Sequence, residues 1–469
     1  MHHVLPNPEQ STAPDVGLWE LYHPLDPEDA VYRWLTPSQE YIASERTKFE
    51  ASQTTGNTYL PDFRPRNIDQ RQLDKREAEL LALKDSVPQH VDAPHLRQAY
   101  RWRINECIGN IRLVRAAASG DDRRFQAYNS FIYGQPNPEV FAAVSDWFSH
   151  DAEAATESEN PAVREAAHDV LKTLGHHRGD RSLLIPDPAI FEAVRANHYS
   201  AMGFVATLLA GIELPAGERV TAQNGDPILR RMLENIGSSQ KIVDDHSWSN
   251  TPAELRRPPD YDMTPQEFIE YQAHELRHAV EYINGIKSPV RLTASGLDRY
   301  EIGNEGRAVV SEQVVNEDLS IFNDGERWQE LISRHLAVSL GSGLAGGGKT
   351  KNSAETNEAI FSTARLFEYT HSPLDSQEDL DAATARAANH AWSLTNAVYK
   401  GTDGTGKAGV YRRPMIYLEG NLAVWDKART DPHAIHVGDL GKFDIANDRH
   451  IAILQEAGML PAKSDFPVL

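Results

Sequence analysis

The run Tyr271-Gln-Ala-His-Glu-Leu-Arg-His-Ala-Val-Glu-Tyr-Ile-Asn-Gly285 carries the strongest local signal in this chain. Within it, His274-Glu275-x-x-His278 has the spacing of a metal-binding helix. Thr264-Pro265-Gln266-Glu267 reads as a capping box with proline at the first helical position, and Asn284-Gly285 predicts a left-handed stop. The motif should therefore lie centrally in one helix of about five turns. At roughly 100° per residue, positions four apart differ by about 40°, so both imidazoles project from one face and can share a metal at about 2 Å. Glu275 sits one step round the helix, placed to reach a metal-bound water rather than the metal, as a general base requires. Zinc in such a site acidifies its water and polarises a peptide carbonyl, which is the chemistry of a metallopeptidase.

Two histidines and a water leave a tetrahedral zinc one protein ligand short. Asp298, Glu301, Glu305 and Glu312 are the downstream candidates. Asn304-Glu-Gly-Arg-Ala-Val-Val-Ser-Glu312 opens like a helix, with Glu305 and Glu312 seven apart and near one face. Glu305 is the expected ligand, and Glu312 is expected to orient a histidine from behind. The plain alternative is chance: the chain has 19 histidines, and an acidic helix face is commonly only solvated.

Four segments in sequence order carry a resemblance: His274-Glu275 to Asn284-Gly285, then Ser288-Pro to Leu297, then Asn304-Glu-Gly-Arg-Ala-Val-Val-Ser-Glu312, then Ile416-Tyr-Leu-Glu-Gly420. Tyr128-Asn-Ser-Phe-Ile-Tyr-Gly134 and Val437-Gly-Asp-Leu-Gly-Lys442 extend it over roughly residues 70–462. In these the chain resembles the microtubule-associated tyrosine carboxypeptidases and their bacterial relatives, a family marked by a Gln-Glu-Gly-Leu-Ala motif. The resemblance implies a zincin-like (gluzincin-like) core with one zinc per chain, held by His274, His278 and Glu305 beside the base Glu275. It also implies carboxypeptidase action on a peptide or protein C-terminus.

Two departures bear on the site. The family has three residues between His-Glu and the second His, where this chain has only Leu276-Arg277. A five-residue separation turns the second ring by about 140° and needs a π-type bulge, so the shorter spacing predicts a regular α-helix. Arg307 stands where the family has leucine. A cation two residues from a ligand either binds a substrate carboxylate or faces solvent, and solvent is the expectation. Tyr399, Tyr411, Arg412, Arg413 and Tyr417 supply further candidates for substrate binding or oxyanion support, with no ranking among them.

The rest of the sequence bounds the reading. A chain of 469 residues exceeds one small core, and 40% apolar with 25% charged residues is ordinary for a globular protein. The expected class is α+β, mainly α-helical: a loose tail at 1–18, a helical accessory region at 19–155 and the catalytic region at 156–469. Helical periodicity is clear at Gln72 to Lys84 and Leu96 to Ala118; β-like runs occur at Glu218 to Ala222 and Lys241 to Asp244. A net charge of −21 without a basic patch argues against nucleic acid, anionic membranes and acidic tubulin tails. The longest apolar run, Met202 to Ile212, is too short to span a bilayer, and a cytoplasmic address is expected. The single cysteine, Cys107, reads as a buried structural thiol.

Gly343-Leu-Ala-Gly-Gly-Gly-Lys-Thr350 matches the phosphate-binding loop pattern literally and keeps a nucleotide-binding protein as an alternative, alongside a metal-free binding protein on a peptidase fold. Such a loop must follow a buried strand, whereas Trp328 to Ala337 reads as helix, so a glycine-rich connection is expected. His2-His3, His176-His177 and the pair His433 and His436 read as surface residues.

Overall fold

Helix starts are set by the expected local chemistry. Side chains of Asp69, Asp121, Asn137 and Asn160 each accept a backbone N–H in the first turn of a helix, and Asn137 and Asn160 are followed by proline at the first helical position. A computed structural model describes residues 14–460 apart from 57, 202–218, 236–237, 243–246, 251–252, 317–318, 345–347 and 433. The apolar run Met202 to Ile212, His2-His3, His433 and residues 1–13 of the expected tail lie outside the described residues, while the last three residues of that tail, 16–18, already belong to the first helix.

The N-terminal helices are α1 Val16–Tyr22, α2 Glu28–Leu35, α3 Gln39–Thr55, α4 Gln70–His90, α5 Pro94–Ser119, α6 Asp122–Tyr133, α7 Pro138–Ala155, α8 Pro161–Leu174 and α9 Pro188–Ala201. Leu73, Leu80, Leu83 and Val87 form the buried stripe of α4. Ile104, Cys107, Ile108, Ile111 and Val114 form that of α5, so Cys107 is the structural thiol expected.

Five short strands follow, β1 Val220–Thr221, β2 Ser239–Ile242, β3 Ser247–Asn250, β4 Ala253–Arg257 and β5 Asp262–Met263, with α10 Ala222–Asn235 after β1. β1 pairs antiparallel with β5, while β4 lies between β2, parallel, and β3, antiparallel. Helix accounts for 71% and strand for 3%, which makes the chain mainly α with a small sheet. The remaining helices are α11 Pro265–Lys287, α12 Leu292–Ser295, α13 Tyr300–Val314, α14 Ile321–Asp324, α15 Glu326–Gly341, α16 Ser353–His371, α17 Gln377–Tyr399, α18 Ile416–Thr430, α19 Ala434–Val437 and α20 Asp448–Glu456.

One apolar core runs from Leu18 to Leu460 and joins the N-terminal helices to α13, α15 and α18. A smaller one gathers Val220, Leu229, Leu233, Leu255 and Tyr261 against Phe268 and Leu276 on one side of α11. The N-terminal layer also anchors the segment leading into α13. The Asp15 carboxylate accepts from the backbone N–H groups of Arg291 and Leu292, and Glu106 from that of Arg299. Arg299 is the one described non-glycine residue with positive φ, at 57°, and this bond holds it there. Among the described residues no helix is long and apolar enough to cross a membrane.

Candidate metal centre

Helix α11 begins as its sequence predicts: Thr264 accepts from the Glu267 backbone N–H, and Glu267 accepts from that of Thr264. It ends differently. Gly285 stays helical, and the helix runs on to Lys287 before Ser288-Pro289. The glycine is needed for close approach instead, because a Cβ there would stand 2.5 Å from the Ala294 Cα and 2.6 Å from its nitrogen. Between His274 and His278 the helix is regular α, as the two-residue spacing predicts.

Helix α13 crosses α11 and α18. At the second crossing the backbones meet directly, since a Cβ on Gly306 would overlap the Gly420 backbone and one on Gly420 the Ile302 carbonyl. This crossing fixes Glu305, one residue before Gly306, opposite the two histidines. Its Oε2 lies 3.3 Å from His274 Nε2 and 3.5 Å from His278 Nε2, and the two rings are 4.9 Å apart at 76°. Ligands about 2.0–2.1 Å from a tetrahedral ion are separated by roughly 3.3 Å, so these distances match the edges of a four-coordinate site. Among the described residues nothing donates a hydrogen bond to the buried Glu305 Oε2, an oxygen that a metal would satisfy. His274, His278 and Glu305 can therefore hold a metal ion, their donor atoms all lying within 4.8 Å of one another.

The surroundings complete the arrangement. Glu312 faces the other side of His274, taking Nδ1 in a short contact, and Arg327 donates to the same carboxylate at 3.0 and 3.3 Å. His278 Nδ1 lies 2.8 Å from the Asn304 side-chain amide. Glu305 Oε1 accepts from Arg413 at 3.1 Å, while Arg413 also donates to Glu301 at 2.9 Å and to the Tyr417 hydroxyl at 3.3 Å.

Burial opposes charge on His274, His278, Glu305 and Glu312, yet the pairings win. Burial raises the Glu305 carboxyl, but His278, His274 and Arg413 hold it well below the usual range. Burial lowers His274, but Glu312, Glu305 and Glu275 push it up to about 10. The pocket thus demands positive charge at the rings, which protons or a metal ion can supply.

Sequence reasoning placed His274, Glu275, His278, Glu305 and Glu312, and the structure brings them together. Of the further candidates, Arg413 reaches Glu305, and the Tyr417 hydroxyl accepts from Arg413. Arg412 turns away to the Ser130 hydroxyl and the Gly134 carbonyl, and the Tyr411 hydroxyl meets that of Tyr133. Tyr399 is buried against Thr356 and the Lys351 carbonyl, away from the cluster. Arg307 corrects the expectation of solvent: it is fully buried and pairs with Glu281 at 2.9 Å. Asp298 pairs with Arg449. Asn304 and Glu281 were missed, although Glu281, three residues after His278, lies on the spacing that would have found it. Arg327 carried no local signal.

The glycine-rich loop follows helix α15 and precedes α16, not strand and helix, and its residues 345–347 lie outside the described set. Lys349 and Thr350 border a cavity of about 250 Å³ with Phe141 and Leu340. A second cavity, of about 480 Å³, is lined in part by Glu270, Tyr271 and Arg327, and this Arg327 donates to Glu312. His176 pairs with Glu153 at the surface. Comparison with known proteins leaves the centre to be judged on its own geometry: no family model, no curated protein and no solved structure matches the chain.

Proposed function

We propose that this protein is a zinc-dependent peptidase with a zincin-like core, acting as a carboxypeptidase on peptide or protein C-termini. The observation that carries the reading is the buried trio His274, His278 and Glu305, at tetrahedral-edge distances with Glu275 beside it on the same helix. Two imidazoles and one carboxylate suit zinc, which when bound there would acidify water and polarise a substrate carbonyl.

The chain's own groups supply the rest. Glu275, buried at 6% exposure, is the base that takes the proton from the attacking water and returns it to the leaving amine. Arg413 and Tyr417 stand at the side of Glu305, where guanidinium and hydroxyl donors can meet a carbonyl oxygen or a terminal carboxylate. Glu312, clamped by Arg327, fixes the His274 ring so that Nε2 faces Glu305, where it would be free to hold the metal. The family resemblance in the order of the motifs supports the same reading, including the C-terminal substrate. A net charge of −21 favours neutral or basic peptides over acidic ones. Neither nucleic acid nor membrane enters the reading, and its setting is cytoplasmic.

The test is metal content and hydrolysis of a peptide panel, measured on the wild type, Glu305→Ala, His278→Ala and Glu275→Gln. About one zinc per chain is expected in the wild type and in Glu275→Gln, and none in the two ligand variants. Glu275→Gln should lose a factor of roughly 10² to 10⁴ in turnover while keeping its metal. A wild type that takes up no zinc on reconstitution refutes the proposal and leaves a metal-free binding protein. ATP binding abolished by Lys349→Ala would instead establish a nucleotide site.

A further inference from the structure

The peptidase reading leaves Gly343-Leu-Ala-Gly-Gly-Gly-Lys-Thr350 without a task. Its ends are tied by the backbone: the Gly348 N–H donates to the Gly343 carbonyl at 2.9 Å, and the Lys351 N–H to the Leu340 carbonyl at 3.2 Å. Gly343 and Gly348 turn at φ 82° and 101°, in the region that favours glycine. The chain thus comes back to the end of α15 and brings Lys349, Thr350 and Lys351 to the cavity of about 250 Å³ that Ser145 and His177 also line. We propose that this cavity is a second binding site, taking one phosphate group, either free or carried by a small organic molecule. It shares no residue with the metal centre.

The charges around the cavity favour an anion. Its lining groups of fixed charge are Lys349, Lys351 and Glu355, two cations against one carboxylate, in a chain whose net charge is −21. Among the described residues neither lysine is paired with an acid. Glu355 is already committed, since its Oε2 accepts from the Asn352 N–H at 2.8 Å in the capping box that starts α16. Ser145 adds a neutral donor. It is 1% exposed, and its hydroxyl has no hydrogen-bond partner among the described residues. A buried hydroxyl left unpaired costs free energy, and an anion in the cavity that Ser145 lines gives it an acceptor. The His177 ring is fixed at the same cavity, with Nε2 donating to the Leu174 carbonyl at 2.8 Å and the ring meeting Phe141 edge-on.

Size and setting favour a phosphate group over a whole nucleotide. The cavity is smaller than the roughly 300–1,000 Å³ of pockets that enclose drug-sized ligands. Helix α15 leads into the turn where a nucleotide-binding loop requires a buried strand. What remains of the phosphate-loop pattern is its chemistry at one point: a tight glycine turn that ends in lysine and threonine.

Calorimetric titration of the full chain with inorganic phosphate, phenyl phosphate and ATP tests the proposal, on the wild type, Lys351→Ala, Ser145→Ala and Glu355→Gln. Inorganic phosphate should bind the wild type saturably at a single site. Lys351→Ala should weaken it about 10-fold, and Ser145→Ala about 3- to 10-fold, as loss of a charged and of a neutral donor does. Glu355→Gln keeps a capping side chain and removes the opposing charge, so it should tighten binding by about two- to fivefold. Because these effects run in opposite directions at one cavity, misfolding does not imitate them. Phenyl phosphate bound at least as tightly as phosphate makes the ligand a phosphomonoester; its exclusion makes the ligand free phosphate. The proposal is overturned by a wild type without saturable phosphate binding, or by binding that the three substitutions leave unchanged, which then lies elsewhere. ATP bound in preference to both smaller ligands overturns it in favour of a nucleotide site.

Discussion

Replacing Gly285 by alanine opposes helix propensity to packing, and the structure decides the sign. Gly285 is helical, so alanine should gain about 1 kcal/mol from propensity alone. The added Cβ, however, would lie 2.5 Å from the Ala294 Cα, 2.6 Å from its nitrogen and 2.8 Å from the Thr293 carbonyl carbon. These are backbone atoms and cannot rotate away, so α11 and α12 must separate by about 1 Å, at a cost near the upper end of the roughly 1–3 kcal/mol for overpacking. The net expectation is a loss of about 2 kcal/mol, which for a chain this large lowers the melting temperature by about 2 °C. Urea unfolding and calorimetry of Gly285→Ala and Gly285→Asn measure it. Asparagine is the discriminating variant: a left-handed stop, the conformation predicted from Asn284-Gly285, tolerates it, whereas close approach penalises it more than alanine. A Gly285→Ala protein as stable as the wild type, or an asparagine variant more stable than the alanine one, refutes the close-packing argument.

That glycine marks where local signals stop being sufficient. Helix α11, which carries the candidate metal centre, was legible because its determinants are local: a capping box at Thr264 and Glu267, and a four-residue spacing that a regular helix turns into one face. Glu305 and Glu312 were legible for the same reason, being seven apart on α13, although only the tertiary crossing shows that they address opposite nitrogens of one ring. Arg307 was not legible, because its burial depends on Glu281 in another helix and on the space left by Gly438, neither of which marks the sequence around it. The strands were half legible. β-like runs near Val220 and Lys241 find β1 and β2, but β4, Ala253-Glu-Leu-Arg-Arg257, has a single large apolar residue and pairs through its backbone on both sides. Arg412 and Arg413 show the finest limit: adjacent in sequence at a tight turn, they point to different partners, and of the two Arg413 reaches Glu305.

Two further predictions concern buried groups outside the centre. Cys107 is fully buried, and burial together with the nearby Asp26 carboxylate pushes its thiol well above the ordinary range, so a disulfide reagent at pH 8 should leave the native protein unmodified and label one thiol after denaturation. Rapid native labelling would show that α5 does not pack as described. Glu106 supplies a pH dependence. Burial pushes its carboxyl up to about 7 despite Arg103 at 3.0 Å and the Arg299 backbone N–H. Its folded pKa lies above its unfolded value near 4.3, so between these values the folded state holds the proton more tightly than the unfolded chain. The stabilisation is complete below about pH 4.3 and is lost as pH rises through about 7. Urea midpoints of the wild type and Glu106→Gln, compared from pH 5 to pH 8, should therefore diverge, with the wild type losing stability relative to a variant that has no proton to lose. Parallel pH profiles would mean that Glu106 stays ionised throughout and that Arg103 outweighs burial at the anchor of α13.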